Sequence, residues 1–228
     1  MKKMTRIREK ISLCLIAAYL LTGPNKASAQ LQYIPAAIHP FSIGFGAGFT
    51  TLYGDLEKNL HMPAYKGNLD YNITPYVSAG IEGQYGKMAQ GYKTEGGTYS
   101  EIHFYTANAN IRAGLGQALK PTNNFTQFIS GLYIGSGVGY INSQVDKIST
   151  LFSADEYLKN QAVVVPINLG INEDLPIYKV VINLNYQYDV AFNDILDGYK
   201  PNVAANKNND AYSLLSLSVK YCFGNVRH

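Results

Sequence analysis

The chain has 228 residues, 46% of them hydrophobic and 15% charged, with nineteen tyrosines, no tryptophan and a formal net charge of +3. Six of the nineteen basic side chains but only one of the sixteen acidic ones precede residue 30, so the remainder carries −2 and gives no reason to expect nucleic acid. Cys222 is the one cysteine beyond residue 29, which excludes an internal disulfide there, and no CxxC pair or His–carboxylate spacing points to a metal or cofactor.

Residues 1–29 read as a cleaved secretory signal. Lys2, Lys3, Arg6, Arg8 and Lys10 form a basic start, Ile11 to Leu21 an apolar core, and Ala27-Ser28-Ala29 a small-residue cleavage site. That apolar core is too short for a spanning helix, which needs about 20 residues. Residues 30–228 fit one domain. They open with a segment, 30–40, that brings Tyr33, Ile34 and Ile38 close to the first strand.

From Phe41 the side chains alternate: Phe41, Ile43, Phe45, Ala47 and Phe49 are apolar, while Ser42, Gly44, Gly46, Gly48 and Thr50 are small or hydroxylated. Successive side chains on a strand point to opposite faces, so this strand has one apolar and one nearly bare polar face. The pattern recurs, predicting strands over 41–52, 65–73, 76–88, 101–115, 127–141, 162–172, 178–190 and 211–223. A soluble sandwich shows the same alternation. The export signal, together with tyrosines placed near strand ends as in aromatic girdles, favours a closed eight-stranded antiparallel transmembrane β-barrel of a Gram-negative outer membrane. Pro166 falls mid-strand, where it must cost a ladder bond or mark a bulge.

Connections alternate in length. Thr74-Pro75 and 172–176 are short, whereas 53–64, 89–100, 142–161 and 191–210 are long and polar. Long loops on one side and short turns on the other place both termini in the periplasm. The stretch 116–126 is long for a periplasmic turn; Leu119 and Phe125 are apolar and Pro121 stiffens it. With Tyr33 and Ile34 it makes a candidate docking surface for a periplasmic or outer-membrane protein.

The inward series contains Lys66, Asp70, Glu82, Arg112, Asp189 and Lys220, three of each sign. Eight strands leave an interior that side chains can fill, so these are expected to pair as a rigid plug, with an ion path or narrow pore as the alternative. Interior glycines of the first and fifth strands are expected to make room for Tyr133 and Phe104. Leu217, Val219, Tyr221 and Phe223 alternate toward a terminal aromatic, resembling the signal that barrels present to the insertion machinery. Ser100, Glu101 and His103 at the rim of strand four are the one hydrolase-like grouping, the basis for a lipid-modifying alternative; the enzyme reading is not favoured.

Leu52-Tyr53-Gly54-Asp55-Leu56, Asn72-Ile73-Thr74-Pro75-Tyr76, Tyr85-Gly86-Lys87-Met88 and Phe192-Asn193-Asp194-Ile195-Leu196-Asp197 together resemble a family of small barrels of Bacteroidota outer membranes. Many members carry Tyr-x-Gly-Asp-Leu after the first strand; here Tyr53 directly precedes Gly54. The family includes the PorG-like component of type IX secretion. The resemblance implies a non-enzymatic anchor or accessory subunit of an envelope complex, embedded in outer-membrane lipid.

Overall fold

The alternating segments become eight antiparallel strands that pair in sequence order, and the last pairs back onto the first to close the ring. The computed structural model describes residues 39–54, 58–74, 76–92, 99–115, 124–149, 159–175, 179–192 and 210–225. The strands are β1 (Phe41–Tyr53), β2 (Asn59–Asn72), β3 (Val77–Gly91), β4 (Tyr99–Gly114), β5 (Leu132–Ser149), β6 (Lys159–Asp174), β7 (Val180–Ala191) and β8 (Ala211–Phe223). A short helix, α1 (Asn124–Ser130), precedes β5.

The register fixes the barrel's shape. Following paired residues once around leads from Phe41 through Tyr71, Ala79, Ile111, Ser136, Ile167, Tyr188 and Ser213 back to Thr51. Phe41 and Thr51 are ten residues apart on β1, which is the shear of the barrel. With ordinary strand spacings, that shear tilts eight strands by roughly 40°. Each residue then climbs roughly 2.5 Å along the axis, and about ten residues cross the apolar band of about 25 Å that such barrels present to lipid.

Strands of 12 to 18 residues overshoot that band. The overshoot lies at the end that carries the long connections (the loop end), opposite the short connections at the turn end. Up to that height the exposed outward side chains are apolar apart from Ser136, among them Phe45, Ile81, Ile111, Leu169 and Leu217. Above it they become Lys87, His103, Gln144, Asp146 and Gln161. Aromatic rings border the band. Phe41 packs on Tyr71 (5.2 Å) and Phe223 (5.7 Å) at the turn end, and Tyr53 packs on Tyr188 (5.8 Å) toward the loop end.

Two predicted strands need correction. β2 begins at Asn59 rather than 65, because a bulge between Leu60 and Ala64 absorbs Pro63 and carries the strand upward. The Thr50 hydroxyl lies against the Met62 carbonyl (3.1 Å) and the Lys87 carbonyl, bridging the irregular stretch. β5 begins at Leu132 rather than 127 and runs on to Ser149, since α1 occupies the residues before it. Of the two outcomes expected at Pro166, the lost ladder bond holds and the bulge does not. The β5–β6 ladder runs from Ser136↔Ile167 to Gly139↔Val164 without a register change and omits the two pairs between. Ser136 Oγ donates to the Pro166 carbonyl at 3.0 Å, satisfying an acceptor beside the interrupted ladder. The β1–β8 closure has no such gap: every residue from Phe41 to Tyr53 has a partner on β8.

Candidate functional site

The lumen is where polar chemistry is concentrated, and it is layered along the barrel axis. Nearest the turn end is an ionic layer. Arg112 reaches from β4 to two carboxylates at once, Nη1 to Asp70 Oδ1 (2.6 Å) and Nη2 to Glu82 Oε2 (3.1 Å). Lys66 holds Glu82 (2.9 Å) and Lys220 holds Asp70 (3.1 Å). The carboxylates also accept from neutral amides: Asn68 Nδ2 donates to Asp70 (2.6 Å) and Gln84 Nε2 to Glu82 (3.0 Å). All five charged side chains are buried. A buried charge persists only when its lone pairs and protons are met, and here one guanidinium serves both acids.

Asp189 stands apart. It is fully buried, forms no ion pair among the described residues, and takes two 3.0 Å hydrogen bonds from Gln187 Nε2. The structure therefore brings together five of the six predicted lumen charges. On the other side of the ring an uncharged network ties β5, β6 and β7. Asn183 donates to the Tyr133 hydroxyl (2.9 Å), Tyr133 to Asn185 Oδ1 (2.9 Å), and Asn185 to Asn168 Oδ1 (3.2 Å).

The glycine expectation is corrected. Tyr133 is accommodated by Gly170, where a Cβ would collide with its phenol. A side chain at Gly44 would instead meet Asn68 and Lys220, and one at Gly137 or Gly139 would meet the Asn110 or Asn108 amide. The bare strands thus admit polar side chains from their neighbours rather than Phe104. Phe104 sits higher, against Tyr212 (ring centroids 5.4 Å, tilted by 54°).

That pair belongs to a third layer at the loop end. Leu52, Met88, Ile102, Phe104, Ile141, Val145 and Val164 all point inward there and are buried. This apolar layer is absent from the sequence reading. It occupies the same strand faces that carry polar residues lower down: on β4, Arg112, Asn110, Asn108 and Thr106 give way to Phe104 and Ile102. The readable signal is that inversion. Above the bilayer the wall is wet outside, so the alternation keeps its period and exchanges its faces.

At the rim of β4 the hydrolase-like grouping comes apart. Ser100 points into the lumen and is buried, whereas His103 lies on the outer face, as the two-residue period requires. The carboxylate beside His103 Nδ1 is Asp146, the extra residue at a β4–β5 register shift opposite Glu101 and Ile102. Glu101 is held by Lys87 Nζ (3.0 Å) and by the Tyr99 hydroxyl (2.8 Å). Asp146 was hidden from sequence reading because strand five continues past the predicted end at 141. Ser100, on the opposite face of the strand, is not placed for His103 to activate. Accordingly, Ser100→Ala and His103→Ala are each expected to leave the lipid A mass spectrum of the host unchanged, and a mass shift in either variant contradicts this geometry.

The remaining predicted positions divide. Leu217, Val219 and Tyr221 are exposed on the outer face of β8, and Phe223 stacks on Phe41. Tyr33, Ile34, Leu119 and Pro121 lie outside the described residues, as do the signal segment 1–29 and most of 30–40. Phe125 falls within α1, but its side chain also lies outside them. Phe128 on the same helix is exposed, and Gly131, the residue between the helix and β5, accepts from the Asn172 N–H through its carbonyl (2.9 Å).

No protein-family model matches the chain, and no curated protein matches it. Among solved structures it is similar to neisserial surface protein A, with a TM-score of 0.55 at 11% identity over 81% of this chain and 97% of that one. The fold is that of a small outer-membrane barrel. Two others are the N-terminal barrel domain of Pseudomonas aeruginosa OprF (TM-score 0.44, 13% identity, 82% and 99% covered) and Ail, the attachment invasion locus protein of Yersinia pestis, solved with a heparin analogue (TM-score 0.44, 17% identity, 80% and 97% covered). At these identities the likeness carries architecture and no activity.

Proposed function

We propose that this protein is a non-enzymatic outer-membrane barrel that works as a structural or accessory subunit, anchoring an envelope protein complex through the surfaces at its ends. The observation that carries this reading is how the barrel spends its faces. Its wall offers a continuous exposed apolar band suited to lipid, and its lumen is crossed by an ionic layer and an apolar layer. Recognition is then left to the two ends. The long-loop rule orients the loop end outward and the turn end, with both termini, toward the periplasm. The resemblance to PorG-like barrels of Bacteroidota supports type IX secretion as the setting and a periplasmic ring as the partner. Exposed Phe128 on α1, beside the long turn that also holds Leu119, Pro121 and Phe125, supports the turn end as the docking face.

Replacing residues 117–128 with a short Gly-Asn link tests this. Gentle detergent extraction from native membranes, followed by mass spectrometry, is expected to recover the partner with the parent barrel. The trimmed barrel should lose it while keeping the heat-modifiable migration of a folded barrel. Recovery of the same proteins with the trimmed barrel removes the turn end from the proposal.

A further inference from the structure

Beneath the apolar layer, above Asp70, Arg112 and Lys220 and level with Glu82 and Lys66, lies a level of the lumen with polar groups that neither layer satisfies. Asn68 Oδ1, Asn168 Nδ2, Gln187 Oε1, Ser218 Oγ and both polar atoms of Asn108 and Asn110 are buried without a hydrogen-bond partner among the described residues. These eight atoms come from five strands, β2, β4, β6, β7 and β8, and all belong to inward-facing residues. Their height follows from the strands themselves. On β4, Asn110 and Asn108 lie between Arg112 of the ionic layer and Phe104 of the apolar one; on β8, Ser218 lies between Lys220 and Tyr212.

An unpaired buried polar group is costly, so a lumen built to stay dry has no physical reason to gather eight such atoms beneath its apolar layer. The loop end shows that this chain can fill its interior with apolar groups. The middle level instead offers neutral donors and acceptors on several walls beside the Lys66–Glu82 pair, which matches water.

We propose that the middle level is a hydrated chamber and that the apolar layer above it, centred on Phe104, Met88 and Tyr212, is a hydrophobic gate separating it from solvent at the loop end. An apolar constriction blocks ions and water by dewetting, whereas the turn end is shut by fixed charges. The barrel is then a pore arrested at two levels, with a wet compartment between them. This inference does not depend on the identity of any partner.

The test places a thiol in the chamber. In the full-length Cys222→Ala protein, Asn108→Cys is introduced with and without Phe104→Ala, and folding is verified by heat-modifiable migration. Each barrel is treated in detergent micelles with a small cationic methanethiosulfonate, which reacts with thiolate and therefore needs water at the sulfur. Labelling is expected to be at least tenfold faster when the Phe104 ring is removed. Met88→Ala replaces Phe104→Ala should that variant fail to fold. Equal rates with and without the gate side chain overturn the proposal: equally slow rates mean a dry middle level, and equally fast rates mean that no gate exists.

Discussion

Arg112→Ala is expected to lower barrel stability by about 3–5 kcal/mol, the ordinary consequence of removing one partner from a buried ion-pair cluster. The reason is its position. Among the described residues Arg112 is the one group bonded to both Asp70 and Glu82, so its loss leaves two buried carboxylates, each with one lysine and one amide. The measurement is the urea midpoint for loss of the heat-modifiable band in defined micelles. Salt should change the difference little, because buried pairs are poorly screened. Asp189→Asn is the natural comparison, since Asp189 is hydrogen-bonded by the neutral Gln187 and Tyr212 side chains and forms no ion pair among the described residues; it should cost much less. An Arg112→Ala midpoint equal to that of the parent means that the cluster is solvated.

Phe104→Ala should cost a similar amount, about 3–5 kcal/mol, by opening a cavity at the centre of the apolar layer. Phe104 has no exposed surface, and its partner Tyr212 belongs to β8, which pairs with β7 and β1 rather than with β4. The ring therefore braces the barrel across its interior. Phe45→Ala removes the same ring from the outer wall, where Phe45 is 71% exposed and lipid can fill the space left behind. Comparable losses from the two substitutions would contradict the layered interior, while a large loss from Phe104→Ala alone supports it.

How far the fold was legible follows from what alternation encodes. Strand count and inward parity were readable because lipid outside and protein inside impose opposite chemistries on odd and even positions. Strand ends were not, because the polarity contrast reverses where strands leave the bilayer. Ile141 and Val145 point inward while Asn142 and Asp146 point outward, and the sequence rule, tuned to apolar-out, stops at 141. The same reversal hid the apolar layer. Individual lumen charges stood out as isolated ionic residues on polar faces, but their partners did not. Lys220 and Asp70 are 150 positions apart and meet only because β8 closes on β1 with a shear of ten. Asp146 was invisible for a further reason. Its place beside His103 depends on a register shift, and no local motif announced it.

The most direct test of the account is thiol labelling on intact cells. In a Cys222→Ala background, Lys159→Cys places a thiol at the loop end of β6, and Lys179→Cys places one in the short turn before β7. A membrane-impermeant maleimide is expected to label the first and spare the second, with both proteins in the outer-membrane fraction and both heat-modifiable. Labelling of Lys179→Cys alone, or recovery of the folded protein outside the membrane, contradicts an outer-membrane barrel with its loop end facing out.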